Sequence, residues 1–245
     1  MEITGLLDEL AAGIRAEAGA IALYVGGSLA TEDYRPGVSD LDLAAVIERP
    51  LDQEQQRTLI GLHRRLIESG ATDEKLHCVY VPADDVADLS SEHLTWGFEE
   101  LFRRPFSGIA RAELLAHGYA VFGPPPADLI PAISDGELAG AVRDALSGYW
   151  SSALQRPKAW LEDVYVDLGL TTLARAEATL AEHRLITKTE AISRLDRFGV
   201  PAALIEEVRR RRDGQAVPIS PGYRLRRAAQ VHQLVTDGIA AVLAL

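Results

Sequence analysis

A chain of 245 residues, 47% apolar and 25% charged, has the composition of a globular protein with room for one large domain or two modest ones. Its net charge of −11 argues against a nucleic-acid partner, which needs a basic face, and is compatible with a cationic small molecule. No apolar run reaches the roughly 18 residues of a membrane span, and the lone Cys78 excludes a disulfide framework and nearly excludes a cysteine zinc site.

The first ten residues, MEITGLLDEL, carry acids and no basic segment. They are not expected to form a signal peptide, which makes the cytoplasm the default compartment. Leu6, Leu7, Leu10 and Ile14 have helical spacing and predict a helix over 3–19. The apolar run IALYV predicts a strand at 21–25, and LDLAAVI a second at 41–47 that Pro50 ends. A helix over 51–69, closed by Gly70, leads to the strand KLHCVYV at 75–81, stopped by Pro82. Residues 92–103 and 108–118 read as helices, and YAVFG at 119–123 as a short strand. The prolines of GPPPADLIP, 123–131, can continue neither a helix nor the centre of a sheet, so the domain boundary is expected there, giving domains 1–123 and 124–245. Beyond it helices are predicted at 134–151, 158–182, 188–198, 201–212 and 222–244, with Gly199 and Gly214 near helix ends. The fold class is α+β: a small mixed sheet with helices, then an all-helical bundle.

The chemistry concentrates in YVGGSLATEDYRPGVSDLDLAAVI, residues 24–47. Within a strand, residues i and i+2 share a face, so Asp40 and Asp42 project side by side, roughly 7 Å apart at Cα, while Leu41 and Leu43 point into a core. Two carboxylates that close are costly without a cation between them. Magnesium suits them, being held by one or two carboxylates plus substrate phosphates. The Gly26-Gly27-Ser28 turn supplies the complement, because glycine lets backbone N–H groups approach a phosphate and Ser28 adds a donor.

A strand, Gly-Gly-Ser, eleven residues and Asp-Leu-Asp-Leu resembles the signature of the DNA polymerase beta-like nucleotidyltransferases. The resemblance implies a small mixed sheet, two aspartates on magnesium, and nucleotidyl transfer from a triphosphate by two-metal chemistry. The pairing of that domain with an all-helical one resembles the bacterial aminoglycoside adenylyltransferases of the streptomycin/spectinomycin type. TTLARAEATLAEHRLITKTEA, 171–191, and YVDLGL before it carry that second resemblance. By it, Arg175 and Lys188 reach the triphosphate from the helical domain, Lys188 from a helix start that already favours an anion, and Ser39 joins Gly27 and Ser28 in contacting phosphates.

The chain departs from the pattern in two places. Where those enzymes carry a glutamate as general base, the matching strand places His77. An imidazole can take a proton from a hydroxyl but binds magnesium far less well than a carboxylate. Asp73, Glu74, Asp84 and Asp85 flank this strand as potential substitutes. On the substrate side the family uses tryptophan and aspartates. The match sets Tyr165 where one aspartate stands, with Glu162, Asp163 and Asp167 close by, and Trp96 near the tryptophan. His63, His93, His117, His183 and His232 lack metal-ligand spacing, and the RRRR at 209–212 reads as a solvated helix end.

The expected protein is a monomeric, magnesium-dependent enzyme that moves AMP from ATP to a hydroxyl of a small cationic acceptor such as an aminoglycoside, without nucleic-acid or membrane partners. Asp40, Asp42 and His77 form its catalytic set. The alternative, motivated by His77, is a nucleotide-binding protein on the same fold with little transferase activity and a sensor or interaction role.

Overall fold

The computed structural model describes residues 3–68 and 75–245. Two compact units divide the chain, Met1–Ile133 and Ser134–Leu245.

The first unit is a mixed α/β layer structure. In chain order it holds α1 (Ile3–Ala18), β1 (Ala20–Val25), α2 (Gly27–Ala30), β2 (Leu41–Ile47), α3 (Gln53–Glu68), β3 (Leu76–Pro82), β4 (Glu92–Gly97), β5 (Glu100–Pro105), α4 (Gly108–His117), β6 (Tyr119–Phe122) and α5 (Pro126–Leu129). The sheet order is β5-β4-β3-β2-β1-β6. β2 and β3 are parallel, joined through α3, and every other pair is antiparallel. Strand alternation sorts the side chains onto two faces. Leu41, Leu43, Ala45, Ile47, Cys78 and Tyr80 pack against Leu10 and Ile14 of α1 and Leu59 and Leu66 of α3. Ala44, Val46, Val79 and Val81 pack with Phe106, Leu114 and Ile130 on the other face. Burial on both faces explains why β2 reads as an unbroken apolar run after Asp42.

Two expectations for this unit are corrected. The helix expected at 92–103 is the β4–β5 hairpin, in which Gly97 pairs with Glu100 across a turn of Phe98 (φ 53) and Glu99 (φ 61). Positive φ at both turn residues matches the twist of flanking strands, and the buried Trp96 ties β4 to the α3 side of the sheet. The division of the chain also falls later than 123/124, between Ile133 and Ser134. The proline run remains with the first unit because Ile130 is buried in its core and the Tyr24 hydroxyl donates to Pro124 O at 3.0 Å.

The second unit is all helical. α6 (Asp135–Ala145) continues through a π turn at Leu146–Trp150 into α7 (Ser151–Leu154), and a 3-10 turn at Pro157–Leu161 leads to α8 (Asp163–Glu182). α9 (Lys188–Ile192), a 3-10 turn at Leu195–Phe198, α10 (Ala202–Arg212) and α11 (Pro221–Leu243) complete it. Polar locks hold α8, α10 and α11 together. The fully buried Arg227 of α11 pairs with Glu207 and, at 2.6 Å, with Asp163. Arg211 of α10 takes both oxygens of Asp167 at 2.6–2.9 Å and Glu207 Oε1 at 2.6 Å, and the Tyr223 hydroxyl donates to Glu207 at 2.9 Å. Burial pushes the Glu207 carboxyl up, but its hydrogen bonds from Arg211, Arg227 and Tyr223 outweigh that and hold it below its ordinary range. No helix among the described residues is long and apolar enough to cross a membrane.

In the first unit the buried His63 imidazole lies 4.5 Å over the Trp96 ring and 2.6 Å from the Tyr80 hydroxyl, and burial pushes it down to about 3. The unfolded chain protonates this side chain near pH 6.5 while the folded chain resists. Stability is therefore complete above about pH 6.5 and declines as the pH falls from there towards about 3. A His63→Phe variant keeps the ring stack, and its urea midpoint should drop less than that of the native chain between about pH 7.5 and about pH 5. An equal drop would place the acid sensitivity elsewhere.

Candidate active site

The parallel register sets Leu41 opposite Leu76 and Asp42 opposite His77. Alternation gives Asp42 and His77 one face and returns Asp40 and Lys75 to it one step earlier. Asp42 Oδ1 lies 3.7 Å from His77 Nδ1, and Asp40 Oδ1 lies 3.9 Å from Lys75 Nζ. The Asp40 and Asp42 side chains are 33% and 46% exposed, so both acids reach solvent at the open end of a strand that is otherwise buried. Asp40 lies just before β2 and Asp42 is its second residue, at the end of the strand where the apolar layer begins.

The glycine turn closes directly on this pair. The Gly26 N–H donates to Asp42 O at 2.9 Å, extending the sheet by one bond past β1. Gly27 has φ +56, and a Cβ there would lie 2.3 Å from Asp42 Oδ2. The carboxylate thus occupies the room that the missing side chain leaves. The Thr31 hydroxyl donates back to Gly27 O at 3.2 Å and Ser28 O at 3.3 Å, fixing the short α2 that follows. No side chain caps the first amides of α2, and Ser28 is half-buried beside them. Ser39 is buried, and its hydroxyl accepts the Arg35 N–H at 2.9 Å, which braces the loop that delivers Asp40.

Two hard carboxylates side by side, open to solvent and backed by a glycine that makes room for one of them, form a donor set suited to magnesium. Among the described residues no group of three His, Cys, Asp or Glu side chains is arranged to hold a metal. His77 occupies the position of a third acid. Asp73 and Glu74 lie outside the described residues. Asp84 and Asp85 are in the turn Ala83–Asp85 after the far end of β3, roughly 20 Å from His77 on the standard strand rise, so they cannot substitute for it.

The β4–β5 turn completes the neighbourhood of His77. A Cβ on Gly97 would lie 2.9 Å from the His77 ring, so the imidazole lies over the glycine. The Phe98 ring is 5.2 Å from that of His77 and 79% exposed. Trp96 is corrected as a substrate contact: it is 1% exposed and stacked on His63 in the core. Its side chain is on the α3 face of the sheet, opposite His77. The exposed aromatic of this region is Phe98, followed by the exposed Glu99. Neither was singled out in the sequence, because a stretch read as helix hides a turn.

In the second unit, Arg175 Nε donates to Ile186 O at 3.0 Å, tying mid-α8 to the segment just before Lys188. Lys188 opens α9 behind Thr187, whose side chain accepts from Glu190 N while the Glu190 carboxylate accepts from Thr187 N. The structure thus brings Arg175 to the same turn as Lys188. Of the acids expected to bind ammonium groups, Asp163 is paired with Arg227 and Asp167 with Arg211. Tyr165 lies edge-on to the buried Trp160 at 6.3 Å and under the Arg156 guanidinium at 5.5 Å.

Residues 7–85, a segment that spans the turn, the acid pair and β3, match the model of the nucleotidyltransferase domain family. No curated protein sequence matches the chain. A solved structure, the spectinomycin adenyltransferase AAD(9) from Enterococcus faecialis with ATP and spectinomycin, is similar with a TM-score of 0.75 at 15% identity, covering 95% of this chain and 98% of that one. The likeness shows that the whole chain shares the fold of that protein. A toxin–antitoxin structure with AMP-PNP aligns over 64% of this chain with a TM-score of 0.30 at 16% identity, too loosely to inform the site.

The glycine cradle makes a sharp test. Gly27→Ala places a Cβ against the Asp42 carboxylate in a left-handed backbone, while Gly37→Ala meets the same backbone demand at φ +73 with nothing within 4 Å. Each substitution should destabilise the fold by about 1–2 kcal/mol in urea titrations. Only Gly27→Ala should also weaken manganese binding; equal binding losses in both variants would remove Gly27 from the site.

Proposed function

We propose that the chain is a magnesium-dependent nucleotidyltransferase that moves AMP from ATP to a hydroxyl of a small cationic acceptor of the aminoglycoside or aminocyclitol kind. The observation that carries this reading is the Asp40–Asp42 pair seated under Gly27 within a segment that matches the nucleotidyltransferase domain. The fold likeness to an enzyme that takes ATP and spectinomycin supports the choice of nucleotide and acceptor class.

Asp40 and Asp42 would hold the ion, with the Gly27 and Ser28 amides beside them to receive phosphate oxygens. Bound magnesium supplies charge neutralisation and polarises the phosphate under attack. His77 takes the proton of the acceptor hydroxyl as its oxygen bonds to the α-phosphorus. The bond from that phosphorus to the pyrophosphate oxygen breaks, and pyrophosphate leaves with the electron pair. His77 is suited to this by position: its ring is pinned between Asp42 and the Gly97–Phe98 turn. Phe98 and Glu99 offer an aromatic face and a carboxylate to an acceptor that carries ammonium groups. They take over the part assigned by sequence to Trp96, Asp163 and Asp167.

His77 in the place of an acid also motivates the second reading, a nucleotide-binding sensor on the same fold. Incubation with labelled ATP, magnesium and a panel that includes spectinomycin and streptomycin separates the two. The enzyme reading expects an AMP-acceptor product. It also expects Asp42→Asn to lower the rate on the order of 100-fold or more. His77→Gln should lower kcat by about 100-fold with ATP affinity unchanged. Saturable ATP binding with no product from any acceptor would favour the sensor.

A further inference from the structure

We propose that this site operates with one divalent ion instead of two, and that Lys75 supplies the fixed positive charge in place of the second. The inference rests on the nucleotidyltransferase reading and specifies how that site is charged.

Two-metal phosphoryl chemistry places its ions roughly 3.5–4 Å apart, each with its own anionic ligands. Here the ligand supply ends early. Asp40 and Asp42 are the acids of the shared face, and the described residues offer no group of three His, Cys, Asp or Glu side chains to hold a metal. The place of a third acid belongs to His77, whose ring is held over Gly97, against Phe98 and beside Asp42. Neutral imidazole is a poor magnesium ligand.

The register adds a second, independent observation. Two residues apart at the start of the paired strands, an acid on the β2 side meets a basic residue on the β3 side: Asp40, just before β2, meets Lys75, just before β3, at 3.9 Å, and Asp42 meets His77 at 3.7 Å. The Lys75 stem is anchored by its backbone, since Lys75 O accepts the Leu41 N–H at 2.8 Å. Its ammonium is 67% exposed, so it can turn from Asp40 to a phosphate oxygen. Two carboxylates and one ammonium sum to −1, which one divalent ion overturns to +1. A second divalent ion would have to settle beside both that ion and the ammonium, with the triphosphate oxygens but no further carboxylate of the described residues to offset the repulsion. A lysine at this place therefore does the neutralising work of an ion while opposing the binding of one. The competing account of Lys75 is an idle surface ion pair, which would contribute nearly nothing.

Manganese in complex with the full chain and the non-hydrolysable analogue α,β-methylene-ATP tests both parts, because two neighbouring manganese ions couple magnetically and one does not. The native chain should give an uncoupled manganese spectrum, and His77→Glu, which restores a third acid, should give the coupled spectrum of a pair. Lys75→Ala should weaken binding of the analogue about tenfold, with Lys75→Arg restoring it. A coupled pair in the native chain, or unchanged affinity in Lys75→Ala, would overturn the proposal and leave the enzyme reading standing. Asp42→Asn is the check on that reading: if this variant holds manganese and the analogue as the native chain does, the reading and the proposal fail together.

Discussion

The parallel pairing of β2 with β3 is the constraint on which the rest of the first unit depends. From Leu41 and Leu76 onward the two strands are buried on both faces, so a slip of one residue would reverse every side chain and empty both cores. The register is therefore fixed by the apolar residues, and the polar ones inherit it. Asp40, Asp42, Lys75 and His77 occupy the ends of these strands before the apolar layers close over them. Their juxtaposition follows from packing elsewhere, which is why charged groups can stand so close without a local structure that favours them. The Gly26–Gly27 turn then closes on Asp42 because β1 pairs with β2 through the last residue of its own apolar run, Val25 with Leu43.

This explains what was legible in the sequence. The run at 41–47 coincides with β2, since the apolar signal that marks it is local. The need for glycine at 27 has a local cause as well, because only a residue without Cβ permits φ +56 against a carboxylate. Lys75 was not, because its neighbour Asp40 is set by pairing between strands that α3 separates. The β4–β5 hairpin was not legible for a different reason. Its turn residues are Phe98 and Glu99, neither of which signals positive φ, and burial of His93 and Thr95 on one face and Trp96 on the other erases the alternation of polarity.

In the second unit the limit of sequence reading is distance along the chain. Asp163 and Asp167 look available to an ammonium group because no basic residue lies within one helical turn of either in sequence. Their partners, Arg227 and Arg211, lie 64 and 44 residues further on. Helix packing brings these groups together at Glu207, and once together they must stay together: breaking one member of a buried ion pair leaves an uncompensated charge, at a cost of about 3–5 kcal/mol. The partners of these two acids are thus set by the packing of α8 against α10 and α11, whereas Glu99 at the tip of the β4–β5 hairpin is exposed.

That hairpin shows where the local rules yield to the site. Two successive non-glycine residues with positive φ cost on the order of 1–3 kcal/mol each, a cost that Asn-Gly at the same positions would largely avoid. The only glycine nearby stands one residue too early, at Gly97. There it does nothing for the turn, but it leaves the space over which the His77 ring lies, 2.9 Å from where a Cβ would be. The turn positions instead carry a carboxylate and an aromatic ring that is 79% exposed to solvent and touches the sheet only at the His77 and Phe102 rings, among the described residues. Stability alone would place the glycine in the turn and a polar residue where Phe98 stands. The arrangement found is the reverse, and it makes sense if the room over Gly97 and the face of Phe98 serve His77 and whatever approaches it.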